Sequence, residues 1–335
     1  MKQVKLTEKV PLLAPDGSLS TKGYATKMNV LYNREAAKTF PLKLKEWNFY
    51  QIHKDHYALQ MTIGHVSYMC SVSAILIDID SGEKWEIGTM KPLFIPKLDF
   101  DPEQESYVIF ESKNLCLTYR VTRNKRILTA TGSSDTYKKV EISIQLENDP
   151  ANEKMVIATP FEKPHQFYLN YKENYYRGTG RVQFGDKIVD FDGCTGLIDW
   201  GRGIWPYSHQ WFWGNLTAHI DGVPFGFNIG WGFGDLSNAT ENMFFFNRKA
   251  YKLGQLQVQY NEADPMQPWH LRDPDGLLDM TFTPVFDNYT QNKYVVIDTH
   301  CHQRYGYFDG IVQTEDGPKE FHHILAFLEH AVNRW

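Results

Sequence analysis

Apolar and polar residues alternate at every second position, in short runs, along nearly all of this chain. Val140–Glu147 alternates without a break and stops at Asn148, Asp149 and Pro150. Tyr57–Ile63, Ser71–Asp80, Leu115–Thr122, Leu278–Pro284 and Lys293–His302 show the same alternation or a short apolar run, and turn residues such as Ser81-Gly82 close them. Successive side chains of a strand point to opposite faces, so this pattern demands sheets with one buried face. Runs of this length at intervals of about 8–12 residues indicate a sandwich or barrel. Aromatic residues make up 15% of the chain and suit a pleated, half-buried surface. Helix signals are scarce. Asn33–Ala37 can open a short helix, and Phe321–Val332 is ambiguous by pattern alone.

A weak internal repeat sharpens the picture. An offset of 130 residues places Gly180 on Gly310, Val182 on Val312, Gln183 on Gln313, Asp186 on Asp316, Phe191 on Phe321 and Trp205 on Trp335. Asp199 then falls on Glu329. Trp47 and Trp211 are expected to begin equivalent strands in the two copies. The expected fold is all-β with little helix: two tandem barrels or curled antiparallel sandwiches, divided as 1–205 and 206–335. The repeat also argues for reading Phe321–Val332 as strand.

Several function classes are disfavoured. A net charge of -5 does not suit a nucleic-acid binder, which needs a basic face. No apolar run approaches the roughly 20 residues of a membrane-spanning helix. Met1–Lys5 is not followed by an apolar core, so no signal peptide is expected and the cytoplasm is the expected location. In that compartment Cys70, Cys116, Cys194 and Cys301 are expected to be reduced, and the Asn-x-Thr triplets at Asn215, Asn238 and Asn288 carry no sugar. Nucleotide loops, nucleophile elbows and zinc-protease motifs are absent. No cofactor is expected, and the sequence does not address oligomeric state.

The chemistry concentrates in Asp199–Tyr207 and Trp211–Gly214, which hold a carboxylate, a guanidinium and the indoles of Trp200, Trp205, Trp211 and Trp213. Among indoles, Asp199 would be desolvated and its pKa raised, which suits a general acid. Paired instead with Arg202, it would fix a turn and lose that use. Downstream, Gly230, Trp231 and Gly232 leave room for close approach, followed by Asp235, Glu241 and Asn242. These polar groups can orient a ligand, or can satisfy turn amides. Asp199 with Glu241 would also make the carboxylate pair of a sugar hydrolase. Asp298, His300 and His302 share one face of a strand but are read as ordinary strand residues, and no metal is expected.

The pattern Asp199-Trp200-Gly201-Arg202-Gly203 with Trp205-Pro206, then Trp211-x-Trp213-Gly214, Gly230-x-Gly232-Phe233-Gly234-Asp235 and Ala239–Asn242, resembles the bacterial family known as domain of unknown function 2804. Gly23–Ala25, Tyr32–Arg34, Lys45–Tyr50 and Glu329–Trp335 extend the resemblance over nearly the whole chain. That family is in turn similar to the tandem lipocalin-like proteins, which include carotenoid hydratases and tocopherol cyclases. This resemblance implies two lipocalin-like barrels and a cavity for an apolar ligand at or between them. Many of those relatives carry a Trp-x-Asp triplet. Here it reads Leu197-Ile198-Asp199, which keeps the acid and not the indole.

Two readings of function follow. One is a cofactor-independent hydratase-, cyclase- or isomerase-like enzyme acting on an apolar unsaturated small molecule. Asp199 is its acid and Glu241 a second catalytic carboxylate. Arg202, Asp235 and Asn242 orient the substrate, and Trp200, Trp205, Trp211, Trp213 and Trp231 line the cavity. The other is a non-catalytic carrier of a lipid or isoprenoid in the same cavity. A carbohydrate-active enzyme is a third, resting on indoles and carboxylates alone. In each, the site is expected at a mouth formed by residues 199–213 and 230–242, where Asp199, Arg202 and Glu241 should converge. Glu329 is expected to have become scaffold.

Overall fold

The computed structural model describes residues 3–40, 43–66, 68–98, 101–294 and 297–335. Val295 and Val296 of the expected strand Lys293–His302 lie outside the described residues, as do Met1 and Lys2. The alternation is realised as sheet. Val140–Glu147 buries every second residue, with Ile142, Ile144 and Leu146 inward. The described residues hold no α-helix; a four-residue 3-10 turn, Arg34–Ala37, is capped by the Asn33 side chain on Glu35 N. Phe321–Val332 lies within the strand Gly317–Arg334.

Two large antiparallel sheets carry the molecule. The first runs Lys84–Pro92, Met69–Asp78, Tyr57–Val66, Lys45–Lys54, Cys194–Ile204, Phe167–Phe184, Val140–Glu147, Lys125–Gly132, Leu115–Val121 and Ser106–Glu111, with three short strands beside this path. The second runs Lys249–Lys252, Met243–Phe246, Val223–Trp231, Ser208–Ile220, Gly317–Arg334, Ile297–Thr314, Leu278–Tyr294, Trp269–Arg272 and Gln257–Gln259. Each curls around its own apolar core, one built from residues such as Ile63, Leu117 and Phe184, the other from Phe227, Trp269 and Phe308. Burying each such side chain contributes about 1.5–3 kcal/mol. Smaller clusters, including Leu197 with Trp213, Tyr305 and Phe327, join the sheets to each other.

The repeat is visible in strand register. Gly178 pairs with Cys194 in the first sheet, and Phe308 with Ile324 in the second, both 130 residues on. Gly201 pairs with Trp47, and its counterpart Ala331 with Trp211. The two copies then part by one residue. In Phe167–Phe184 the register shifts between Glu173 and Tyr176, where Tyr175 adopts a left-handed φ of 58°. This is a β-bulge, which re-aims the side chains beyond it. As a result Lys172 stands opposite Asp199, while in the second copy Gln303 stands opposite Glu329. The same bulge turns Asn174 outward, and its Nδ2 donates to Asn215 Oδ1 at 2.7 Å and Leu216 O at 2.8 Å in the other sheet.

Candidate active site between the two sheets

A cavity of about 1080 Å³ lies where the sheets face each other. One wall is a register row of the first sheet: Ser73, Thr62, Phe49, Asp199 and Lys172, each paired with the next. The facing wall is a row of the second: Asn288, Gln303, Glu329 and Trp213. All nine side chains line the cavity, together with Trp47, Tyr168, Trp211, Phe233, Glu241 and Trp335. Residues of a row share a face because side-chain direction alternates along each strand. The cavity is therefore between the barrels, and both halves of the chain build it.

Three carboxylates gather here around one cation. Lys172 Nζ is 3.3 Å from Glu241 Oε2 and 4.3 Å from the centre of the Trp213 ring. Asn170 Nδ2 donates to Asp199 Oδ1 at 2.5 Å. Trp211 Nε1 donates to Glu329 Oε1 at 2.7 Å. Among the described residues lining the cavity, Lys172 is the one basic side chain, and its ion pair goes to Glu241. Burial raises the Glu329 pKa, outweighing the hydrogen bonds from Trp211 and Cys301 that lower it, and the nearby negative charge of Asp199 adds to the rise. Tyr168 is held well above the usual phenol range by burial, reinforced by the charges of Asp199, Glu241 and Glu329. Burial and the Glu329 charge likewise raise the Cys301 thiol. Like charges brought together out of water favour one proton held at the site.

Of the residues singled out from sequence, the structure brings Asp199, Glu241, Trp211 and Trp213 to the cavity. Gly230 serves Glu241: a Cβ at this position would lie 3.2 Å from Glu241 Oε2. Arg202 does not converge with them. It is one side of the strand away, sealed inside the first barrel. Its Nη1 donates to Trp47 O at 2.7 Å and its Nη2 to Asn48 Oδ1 at 2.9 Å. Nε lies 3.7 Å from Glu46, and the guanidinium sits 3.9 Å from the Trp200 ring centre. Trp200 and Arg202 are even-numbered and Asp199 and Gly201 odd, so an unbroken strand sends the pairs to opposite faces.

Trp205 backs the cavity wall, edge-on to Trp47 at 5.4 Å and Trp335 at 5.7 Å. Trp231 stacks on Phe212 at 4.9 Å against the second core. Asp235 caps an exposed turn, accepting from Ser237 N at 2.9 Å, and these hydrogen bonds lower its pKa. Asn242 is buried structure, accepting from Gly230 N at 2.8 Å and donating to Gly254 O at 2.9 Å. His300 lies 2.9 Å from Asp298, and His302 lies 2.7 Å from Asp287. Among the described residues no three His, Cys, Asp or Glu side chains are disposed to hold a metal ion. The sequence reading missed Lys172, whose orientation depends on the bulge. It named Glu329 only as the repeat-mate of Asp199.

The chain belongs to the family known as domain of unknown function 2804, whose model matches residues 3–335. No curated protein matches it. Among solved structures, a kievitone hydratase from Nectria haematococca is similar over 96% of this chain and 98% of its own, with a TM-score of 0.52 and 14% identity. A protein provisionally assigned as AttH from Nitrosomonas europaea is similar over 86% of this chain and 92% of its own, with a TM-score of 0.44 and 10% identity. The hydratase likeness is one of fold: two tandem lipocalin-like barrels. Among the described residues no helix is long and apolar enough to cross a membrane.

Proposed function

We propose that the cavity is the active site of an acid–base enzyme of the hydratase, cyclase or isomerase type, acting on an apolar unsaturated small molecule. The observation that carries this reading is the placement of Asp199 and Glu329 on facing walls, with the Glu329 carboxyl biased toward its protonated form. Glu329 is the donor, and Asp199 the acceptor that completes the pair. This moves the acid one repeat away from Asp199, where sequence alone put it. Lys172 pairs with Glu241 at 3.3 Å, and its charge limits the rise at Glu329 without reversing it.

In a hydration, the Glu329 proton forms a new C–H bond at one end of a C=C bond. The other end becomes cationic and is stabilised by ring faces such as Trp213 and Phe49. Water adds there and loses its proton to Asp199, and transfer of that proton to Glu329 restores the site. In an isomerisation Asp199 takes a proton from carbon instead. The reaction invokes no cofactor. The likeness to a hydratase supports the class of chemistry only.

A carrier using the same cavity is the second reading, favoured by a volume of about 1080 Å³, just above the roughly 300–1,000 Å³ of small-molecule pockets. Native mass spectrometry of freshly purified protein, followed by incubation of the released apolar ligand with the protein in D2O, tests both. The enzyme reading expects carbon-bound deuterium or an added water in the ligand, lost in Glu329→Gln. A bound ligand that stays unlabelled and unchanged overturns it and leaves the carrier.

A further inference from the structure

The cavity opens to solvent at Met90, which lines it and is nonetheless 47% exposed. Beyond Met90 the strand Lys84–Pro92 ends, and Pro92, Leu93, Phe94 and Ile95 are all exposed. Leu93 is 68% exposed. A cleft of about 240 Å³ joins Ile95 to Thr39, and the next residue, Phe40, is 65% exposed. A contiguous apolar patch held in water marks an interaction site.

This loop is anchored at both ends. Leu93 N donates to Tyr68 O at 2.8 Å. Leu98 O accepts from Arg202 Nη2 at 2.6 Å, and Pro96 O accepts from Arg34 Nη2 at 3.4 Å. Both guanidiniums are tied to Glu46. Arg202, which lies outside the cavity, thus fixes the loop beside its opening. Leu93 sits at a left-handed φ of 57°, a conformation that costs a leucine free energy and is kept only where its surroundings impose it. Lys91 Nζ lies 5.3 Å from the Phe94 ring centre and 4.6 Å from that of Phe110, and Lys97 is exposed. These lysines are the only charged residues of Met90–Leu98, in a chain whose net charge is -5.

We propose that Phe40 and Leu93–Ile95 dock the protein on a lipid bilayer bearing anionic headgroups, with the cavity opening beside the membrane. Four apolar side chains fall well short of the roughly 20–30 residues a side of a stable protein interface. A few apolar side chains at the headgroup boundary, with basic groups beside them, suffice for reversible lipid binding. Lys91 and Lys97 supply that charge, which an anionic leaflet attracts. An apolar ligand dissolved in the bilayer then reaches Met90 and the cavity without crossing water.

Co-sedimentation of the full chain with phosphatidylcholine vesicles, with and without about one-third phosphatidylglycerol, tests this in the absence of any ligand. Wild type should bind the anionic vesicles about tenfold more tightly than the neutral ones. Leu93→Asn should weaken that binding about tenfold, and asparagine accepts the left-handed φ more readily than leucine, so the fold is kept. Phe40→Ser should weaken binding in the same direction. No binding to either vesicle, equal binding to both, or wild-type affinity in both variants overturns the proposal. A concentration-dependent dimer in sedimentation velocity that Leu93→Asn abolishes also overturns it, because a second copy then covers the patch. None of these measurements reads turnover, so docking and the acid–base reading of the cavity stand or fall separately.

Discussion

Lys172 and Glu241 form a buried ion pair at 3.3 Å across the two sheets, although strand register sets Lys172 beside Asp199. Removing one member leaves the other charge buried and unmatched, at a cost of about 3–5 kcal/mol. Lys172→Met should destabilise the protein by that order in urea denaturation. Adding Glu241→Leu should recover most of the loss. A double variant whose loss is the sum of the two single losses would mean the pair is not coupled.

Glu329→Gln and Asp199→Asn should keep the fold, by circular dichroism, and reduce turnover by about 10²–10⁴-fold, as loss of a general acid or base does. Turnover is read as deuterium transfer from D2O into the ligand. Wild-type kcat/KM should fall as pH rises through the raised Glu329 pKa, since the donor is then lost, and Glu329→Gln should lack this limb.

Stability has a linked pH dependence. The folded state binds a proton at Glu329 above the ordinary carboxyl range, where the unfolded chain has released it. That contribution is fully present below the unfolded value and is lost as pH rises through the folded one. Glu329→Gln should therefore gain stability relative to wild type over this window. A pH-independent difference in denaturation midpoints would refute the assignment.

Gly201 lies against the Trp47 ring so closely that a Cβ would overlap it. Gly201→Ala should push Trp47 toward the cavity, costing about 1–3 kcal/mol as overpacking does and weakening ligand binding. An unchanged melting temperature with unchanged binding would show that the ring moves freely.

Asn174 reaches from the bulge of the first sheet to Asn215 and Leu216 of the second. Asn174→Ala should leave buried acceptors unpaired and destabilise by about 1–3 kcal/mol. The effect belongs to docking of the sheets, so hydrogen exchange should rise first along Ser208–Ile220 rather than within the core of either barrel.

Much of this was legible in the sequence. The offset of 130 found the matching strands, and the likeness of Trp47 and Trp211 found the register that precedes them. The place of Asp199 on a cavity wall was also legible, as was close approach at Gly230. The grouping of Asp199 with Arg202 failed because the run was treated as a crowded pocket wall or turn, whereas a straight strand parts neighbours by parity. Lys172 was hidden for the opposite reason: an extra residue at Tyr175 breaks parity, and nothing in the sequence marks it. Glu329 was visible through the repeat but set aside because its neighbours lack glycine.

Asp199 hangs from one barrel and Glu329 from the other. Their separation is thus a measure of how the barrels are seated, not of any one strand's conformation. Repulsion between like charges falls with distance, so a ligand that draws the barrels together tightens the grip of Glu329 on its proton, and one that wedges them apart loosens it. Acidity at this site is in that sense a property of how the two barrels are held together, and not of either carboxylate's own strand.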